Sequence, residues 1–159
     1  MDLSLIPREK GVYILVMRID FTITIALSIG LVVLEPGLYA YVGSARSFGG
    51  LRSRIKHHLT KNKKSFWWHI DYITSKNEVK FICIIYALTE LDLEENLAEE
   101  LSKNSCWNPA VRGFGSTDRK SFTHLFKCVC NSNMCINRAK ETVEKLVKGF
   151  GAGIIWIDQ

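Results

Sequence analysis

The chain has 159 residues, of which 47% are hydrophobic and 23% are charged, and its formal net charge is +5. This composition is ordinary for a globular protein with a buried core, and the length predicts a single domain spanning residues 1–159. Since no apolar run is long enough to span a bilayer and the N-terminus lacks a signal pattern, we expect a cytoplasmic protein without a membrane partner.

The first 43 residues predict a small, mostly antiparallel sheet. Gly11 to Met17 is an apolar stretch that predicts a strand buried on both faces, and Phe21 to Leu27 alternates apolar with polar residues. Glu35-Pro36-Gly37 favours a type II turn, after which Leu38 to Gly43 again alternates as a strand. The strand that ends at Gly43 therefore carries a tyrosine, Tyr41, towards the segment that follows.

The rest of the chain alternates helical and extended patterns. In order, we predict a helix at Gly50–Leu59, a short helix within Phe66–Ile73, a strand at Glu78–Leu88, a helix at Asp92–Leu101, a loop at Ser105–Ser121, a strand at Phe122–Val129, a helix at Ile136–Val147 and a strand at Gly153–Ile157. The predicted fold class is α/β in the α+β sense, with a small, mixed, mostly antiparallel central sheet flanked by helices.

Charge is unevenly distributed along the chain. Between Pro36 and Ile70 there is no acidic residue, whereas seven Lys or Arg and three His residues occur. Between Glu90 and Glu100 the reverse holds, with six acidic residues and no basic one. Two solvated helices that pair with each other would explain this pattern, and so would a phosphate-binding face beside a carboxylate that holds a metal.

The five cysteines do not form a complete zinc motif. Cys128, Cys130 and Cys135 are clustered, while Cys83 and Cys106 stand alone. A structural zinc takes four ligands, usually in two pairs, so we do not expect one here. We also do not expect a disulfide in a cytoplasmic protein, and we interpret Cys83 as a small buried hydrophobe.

Five ordered segments carry a resemblance to a known superfamily. They are Gly37–Ala45, Gly49–Ile55, Trp68–Tyr72, Gly113–Asp118 and Thr123–Phe126. With Gly11-Val12-Tyr13 before them, they are similar to the GIY-YIG nuclease superfamily, in an uncharacterised archaeal and bacterial branch that is sometimes fused to DNA-repair enzymes. The resemblance covers residues 11–127 and implies a GIY-YIG-like core, with residues 128–159 as a C-terminal helical extension.

The resemblance implies four catalytic residues. The hydroxyls of Tyr13 and Tyr41 would meet near the scissile phosphate, Arg54 would clamp it, and His58 would orient a water or contact the phosphate. A tyrosine can help to deprotonate water only if its pKa is lowered from about 10, which a nearby cation could do. The alternatives are half-buried sheet tyrosines and surface cations on a helix.

The resemblance also implies one divalent metal, Mg²⁺ or Mn²⁺, held by Glu94. Helical spacing places Glu94 beside the leucine stripe of its helix and predicts solvated positions for Glu95 and Glu99, with Glu100 as the main rival ligand. A glutamate that merely favours a helix N-terminus is the alternative.

The remaining candidates fall into two groups. Non-specific nucleic-acid contacts are assigned to Arg46, Arg52, Lys56, Lys61, Lys63 and Lys64. Secondary site positions, which brace the site or touch the nucleic-acid backbone, are Gly43, His69, Asp71, Ser116, Asp118 and His124. His69, Asp71 and Tyr72 form either a polar cluster or the capping of a short helix. His57 is expected to point into solvent.

Three departures from the superfamily pattern bear on activity. The two tyrosine motifs are separated by a longer insertion, Arg119 stands where the branch tends to have a cysteine, and the closing asparagine has no assigned position. The leading hypothesis is a metal-dependent endonuclease that hydrolyses DNA in repair or recombination, with RNA left open as a partner. The alternative is a non-catalytic nucleic-acid-binding module of the same fold. A third interpretation is a protein interface formed by Phe66–Tyr72 and the C-terminal helix.

Overall fold

A computed structural model describes residues 2–157 as an α+β fold with a six-stranded central sheet, in which every neighbouring pair is antiparallel. The spatial order is β6 (Trp107–Pro109), β7 (Leu125–Cys128), β4 (Gly37–Ala45), β1 (Gly11–Ile19), β5 (Val79–Leu88) and β8 (Ala152–Trp156). A separate hairpin joins β2 (Ile23–Leu27) to β3 (Gly30–Leu34). The helices are α1 (Gly50–Leu59), α2 (His69–Thr74), α3 (Glu94–Ser102) and α4 (Ser132–Leu146), after a short 3-10 helix at Leu3–Leu5. The predicted fold class is confirmed.

The central strands divide the core into two layers, because successive side chains of a strand point to opposite faces. On one face Tyr13 and Tyr41 pack with residues from α1, α2 and the hairpin. On the other face Val12 and Val42 pack with residues from α3 and α4 and with Trp107. The sheet thus separates a tyrosine-bearing face from a face covered by α3 and α4.

The register of β1 and β4 brings the two motif tyrosines together. Tyr13 lies opposite Gly43, and Leu15 lies opposite Tyr41. Tyr13 and Tyr41 are therefore diagonal neighbours on the same face of the sheet, within reach of each other's rings. A Cβ built on Gly43 would overlap the Tyr13 hydroxyl, so the absence of a side chain at Gly43 makes room for that hydroxyl.

Two glycines start α1 at the predicted residue. Gly49 and Gly50 have φ angles of 87° and 53°, a left-handed region that favours glycine. A Cβ on Gly50 would also collide with the backbone carbonyl of Glu9, because the lead-in segment crosses the start of the helix. Leu51 and Ile55 are then fully buried, as the predicted apolar stripe requires.

The structure corrects three details of the predicted elements. β1 continues to Ile19, beyond the turn expected after Met17, because it pairs with β4 and β5 along its whole length. The inserted strand, observed at Ile23–Leu27, pairs with β3 rather than joining the central sheet. The expected loop at Ser105–Ser121 contains the short edge strand β6, which pairs with β7.

The C-terminal segment is part of the same fold rather than a helical extension. Asn131 caps α4 by accepting a hydrogen bond from the Met134 N–H at 2.8 Å, and Ile136 and Val143 pack into the core beneath the sheet. β8 then adds an edge strand beside β5. Within residues 2–157, none of the helices has both the length and the apolar character needed to cross a membrane.

Candidate active site

A cleft of about 280 Å³ opens where β1, β4, α1 and the start of α3 meet. Its lining consists of Tyr13, Tyr41, Ser44, Arg54, Trp67, Trp68, His69, Glu94, Gly115, Thr117, Asp118 and Arg119. Three of the four predicted catalytic residues and the predicted metal ligand are in this set. We call this space the cleft. It is large enough for a phosphate group with water, but small beside the pockets that enclose drug-sized ligands.

A buried hydrogen bond joins Tyr13 to His58. The Tyr13 hydroxyl lies 2.6 Å from His58 Nε2, and both side chains are almost completely buried. Burial is the main reason that the pKa of His58 is lowered to about 4, so the imidazole is neutral near pH 7. His58 is not in the lining of the cleft, so the prediction that it contacts phosphate or a substrate water was wrong.

Asp71 lies behind this pair and is fully buried. Its Oδ1 is 2.9 Å from His57 Nε2 and 3.9 Å from His58 Nδ1. Its Oδ2 accepts hydrogen bonds from the N–H groups of Trp67 and Trp68, at 2.8 and 3.1 Å. Burial alone would raise the pKa of Asp71, but the hydrogen bonds outweigh it and hold this pKa well below its usual range.

This network resolves the two interpretations of the predicted polar cluster. Asp71 both caps α2, whose N-cap residue is Trp68, and is hydrogen-bonded to His57, while His58 Nδ1 lies beyond hydrogen-bond distance of its carboxylate. Tyr72 is not part of the cluster, since it is 37% exposed and packs edge-on against Phe66. The expectation of a solvated His57 was also wrong, because its ring is stacked on Trp67 at a centroid distance of 4.7 Å.

Arg54 is held at the wall of the cleft by an aromatic ring. Its guanidinium carbon lies 3.8 Å from the centroid of the Trp68 ring, a cation–π contact. No carboxylate of residues 2–157 forms an ion pair with Arg54. The guanidinium is therefore orientated by the ring yet free to bind an anion.

Glu94 enters the cleft from the first turn of α3. Its side chain is 15% exposed, and Arg119 Nη2 lies 3.5 Å from its Oε2. Burial raises the pKa of Glu94, whereas Arg119 opposes that rise. The rival Glu100 is exposed and bonded to Lys103 at 2.8 Å. Of the two rivals, Glu94 alone lines the cleft.

The two tyrosines of the cleft are not acidified by their surroundings. Burial raises the pKa of both Tyr13 and Tyr41 well above 10, and Arg54 opposes this rise only in part. The nearby cation therefore acts in the expected direction, but burial outweighs it and neither tyrosine has the lowered pKa that direct deprotonation of water would need. Neither hydroxyl becomes a phenolate near neutral pH, so any proton that a tyrosine accepts must be passed on.

Two of the secondary candidates, His69 and Asp118, line the cleft, and two others, Ser116 and His124, are buried beside it. Gly115 donates its N–H to His69 Nδ1 at 3.1 Å, which fixes the His69 ring at the rim near Asp118. Ser116 is buried, and its hydroxyl has no hydrogen-bond partner among residues 2–157. His124 is buried with its Nε2 3.5 Å from Glu95 Oε2, so it braces α3 rather than facing the cleft.

Glu95 was expected to be solvated, and this expectation was wrong, because its side chain is only 27% exposed and lies 3.5 Å from His124. It also accepts a short hydrogen bond from the Ser121 hydroxyl. The helical periodicity of α3 correctly placed Glu95 away from the leucine stripe, but it could not show that the loop at 115–124 covers that flank of the helix.

Half of the predicted nucleic-acid contacts have structural roles instead. Arg52 donates to the carbonyl oxygens of Ile6 and Ser4, at 2.7 and 2.8 Å. Lys61 donates to two carbonyls at the ends of the turn before β5, and Lys63 donates to the last carbonyls of α1. Burial lowers the pKa of Lys63 to about 8. The three that remain exposed, without a side-chain hydrogen bond or ion pair inside the described part of the chain, are Arg46, Lys56 and Lys64.

Several residues of the site were missed by the sequence reasoning. Trp67 and Trp68 form a wall of the cleft. His57 is paired with Asp71, and Arg119 is paired with Glu94. The density of aromatics in Phe66–Tyr72 was the available signal. That segment and α4 do not form one continuous surface, because α2 and α4 pack on opposite faces of the sheet.

Acid is expected to destabilise the fold between about pH 6.5 and pH 4. Since burial lowers the folded-state pKa of His58, His69 and His124, the unfolded chain binds protons first as the pH falls. The stability that this difference supplies is complete above about pH 6.5 and is lost towards pH 4; for His58 alone it amounts to about 3 kcal/mol. Urea unfolding at several pH values measures it. His58→Gln should flatten the slope, and an unchanged slope would contradict this assignment.

Comparison with known proteins identifies the family but not an activity. No curated protein and no solved structure matches the chain. The family described as "Domain of unknown function DUF123" matches residues 12–152, a range that includes the cleft residues and α4. The chain belongs to the DUF123 family.

Proposed function

We propose that this chain is a metal-dependent endonuclease of the GIY-YIG type, which hydrolyses phosphodiester bonds in DNA. The observation that carries the proposal is the convergence of Tyr13, Tyr41, Arg54 and Glu94 on one cleft, although they come from four different elements. Ordinary packing does not require a free guanidinium, two hydroxyls and a carboxylate around one opening.

The phosphate of the substrate is bound by Arg54. The Trp68 ring holds the guanidinium 3.8 Å away, so the entropy lost on binding the phosphate is smaller than for a free arginine. A guanidinium can donate to two phosphate oxygens and stabilise the charge that develops on them in the transition state. The exposed Arg46, Lys56 and Lys64 supply salt-dependent affinity for the backbone.

The proton of the attacking water leaves through Tyr13 to His58. Water oxygen bonds to phosphorus while the water proton passes to the Tyr13 hydroxyl. The bond to the sugar oxygen breaks, and that oxygen leaves with the bonding electron pair and takes a proton from solvent. The Tyr13 proton moves at the same time to His58 Nε2, which lies 2.6 Å away and is neutral. Tyrosine stays uncharged throughout, which accommodates its raised pKa. Tyr41 has no such acceptor behind it, so we assign Tyr41 to positioning the water and phosphate.

Asp71 stabilises the imidazolium that this transfer creates. Its carboxylate is ionised and lies 3.9 Å from His58 Nδ1, on the side of the ring away from Tyr13. This placement also favours the tautomer with its proton on Nδ1, which leaves Nε2 free to accept.

The donor set of the cleft fits a hard divalent cation. Glu94 and Asp118 offer carboxylate oxygens, and the pKa of Glu94 is raised by burial, as expected for a carboxylate that lacks a full complement of cationic partners. Glu94 would hold Mg²⁺ or Mn²⁺, with Asp118 nearby. When bound, the ion would neutralise charge on the phosphate oxygens.

Incubation with supercoiled, nicked and branched DNA in the presence of Mg²⁺ or Mn²⁺ tests this function. We expect metal-dependent cleavage that is lost in Arg54→Ala and in Glu94→Gln. Arg138→Ala and Glu99→Gln are matched controls, since both residues are exposed on outer helix faces and should leave cleavage unchanged. Full cleavage by both cleft variants would exclude the mechanism.

A non-catalytic DNA-binding module is the second candidate, and Arg119 is the observation that favours it. Its guanidinium already occupies the position beside Glu94 where a cation would be needed. Salt-dependent DNA binding without cleavage under any metal would support this alternative, particularly if Arg54→Ala weakens binding while Glu94→Gln does not.

A further inference from the structure

Four cysteines lie close together on the face of the sheet opposite the cleft. Cys106 precedes β6, Cys128 ends β7, Cys130 lies in the following turn, and Cys135 lies in the first turn of α4. The structure pairs them as Cys106–Cys130 and Cys128–Cys135. These disulfides contradict the expectation of none, and they contain all the cysteines except the buried, free Cys83.

The two disulfides also lie next to each other. The sulfurs of Cys106, Cys130 and Cys135 all lie within 4.8 Å of one another, and Cys128 is bonded to Cys135. A tetrahedral zinc with Zn–S bonds of 2.3 Å places its four sulfurs about 3.8 Å apart. Three of the four sulfurs therefore lie nearly as close together as in a four-thiolate site, and the fourth, that of Cys128, is bonded to one of the three.

We propose that the reduced form of this protein binds one Zn²⁺ through Cys106, Cys128, Cys130 and Cys135. Reduction of the two disulfides by a thiol or phosphine takes up four electrons and four protons and yields four thiols. Zinc then binds the thiolates and releases their protons to solvent. The sequence offered only a three-cysteine cluster, because the fourth ligand lies 22 residues before Cys128 and reaches it through the pairing of β6 with β7.

The backbone holds these four positions without help from the disulfides. The Val129 N–H donates to the Cys106 carbonyl at 2.9 Å, and Trp107 Nε1 donates to the Cys135 carbonyl at 2.9 Å. Trp107 is itself fully buried. The ends of β6, β7 and α4 are thus tied together by hydrogen bonds and packing, so the thiols of the reduced protein stay close to one another.

The local charge also suits thiolates. Cys135 lies in the first turn of α4, where the helix dipole favours a negative charge. Arg18 Nη2 lies 3.2 Å from the Ser132 hydroxyl, which places a cation at the same helix end. Cys106 and Cys135 are almost completely buried, so a bound zinc would be shielded from competing ligands.

This site differs in chemistry and in place from the proposed catalytic metal site. Thiolates prefer zinc, whereas the carboxylates of the cleft suit Mg²⁺ or Mn²⁺. The cysteines pack in the core beneath α3 and α4, whereas Tyr13 and Tyr41 pack on the other face. Zinc would link the edge strand β6 and its neighbour β7 to α4 and stabilise the fold, so the proposal does not depend on nuclease activity.

Cobalt titration of untagged, phosphine-reduced protein under anaerobic conditions tests the proposal. We expect one equivalent of Co²⁺ per chain, with the sulfur-to-cobalt charge-transfer band and the intense red-region bands of a tetrahedral thiolate site, followed by displacement with one equivalent of Zn²⁺. Cys128→Ser should bind Zn²⁺ at least about 100-fold more weakly, since even outer-shell changes cost 10–100-fold. Cys83→Ala is the matched control and should keep full stoichiometry.

Wild-type protein decides the matter even if Cys128→Ser does not fold. Zinc content and thiol counts on reduced wild-type protein should give one zinc per chain and four thiols that become reactive only after chelation. A reduced wild-type protein that is folded but binds no zinc, or that gives an octahedral cobalt spectrum, would overturn the proposal. So would a Cys128→Ser variant that folds and binds zinc as tightly as wild type.

Discussion

Replacing Tyr13 with phenylalanine is expected to slow DNA cleavage about 100- to 10,000-fold while leaving DNA affinity nearly unchanged. The variant removes one oxygen atom, and within residues 2–157 that oxygen makes the only hydrogen bond between a cleft-lining side chain and the His58 ring. Phosphate binding depends on Arg54, which the variant does not touch. The loss should therefore fall on kcat, with KM and the Kd for DNA changed by less than about 3-fold.

The size of this effect follows from the absence of another proton acceptor. The raised pKa of Tyr41 keeps its hydroxyl protonated near neutral pH, so it cannot act as a base on its own. The described structure also gives this hydroxyl no histidine or carboxylate within hydrogen-bond distance. Water in the Tyr13→Phe variant must then lose its proton to solvent during the attack. A positioned general base is worth two to four powers of ten in rate, which sets the expected range.

Single-turnover cleavage and DNA-binding measurements on the same preparation check this prediction. Tyr86→Phe is the matched control, since Tyr86 lies beside Tyr13 on β5 but does not line the cleft. His58→Gln should lose most of its activity as well, because its side chain is a much weaker base. If Tyr13→Phe cleaves like wild type while Tyr41→Phe does not, the roles assigned to the two tyrosines must be exchanged.

The elements that the sequence predicted well are those whose signal is local. The apolar run of β1, the spacing of Leu51 and Ile55 in α1 and the leucine stripe of α3 are each set by burial of one continuous segment. The strand predicted at Phe21–Leu27 pairs outside the central sheet, which was not foreseen because strand alternation shows that one face is buried but not what buries it. Pairing partners depend on contacts that are distant in sequence.

The candidate site shows the same division. The resemblance supplied Tyr13, Tyr41, Arg54 and Glu94, and all four line the cleft. It supplied no reason to place Asp71 behind His58, since that contact depends on the packing of α2 against α1. The roles of the lysines were the hardest to predict. A lysine that donates to a nearby backbone carbonyl and one that binds a phosphate look the same in the sequence.

Removing the carboxylate of Asp71 is expected to cost more stability than any surface change. Asp71→Ala should lower the free energy of unfolding by about 3–5 kcal/mol at pH 7. The variant leaves the N–H groups of Trp67 and Trp68 and the ring of His57 without their common acceptor, which is itself fully buried. It also removes the cap of α2.

The pH dependence of the same variant identifies the cause. Because the folded-state pKa of Asp71 is depressed, its contribution is complete above the unfolded-state pKa of about 3.9 and is lost as the pH falls below that value. Wild type and Asp71→Ala should therefore differ most above pH 5 and converge in stronger acid. Asp71→Asn keeps one acceptor oxygen but no charge and should lie between them.

Urea unfolding at pH 7 and at several acidic pH values, monitored by tryptophan fluorescence, measures both effects. Glu141→Ala is the matched control, since it removes an exposed carboxylate from an ion pair with Arg138 and should cost less than about 1 kcal/mol. An Asp71→Ala variant as stable as Glu141→Ala would mean that water or another side chain satisfies the exposed donors. The role proposed for the Asp71 carboxylate, which is to stabilise the charged His58 in the proton path, would then be unsupported.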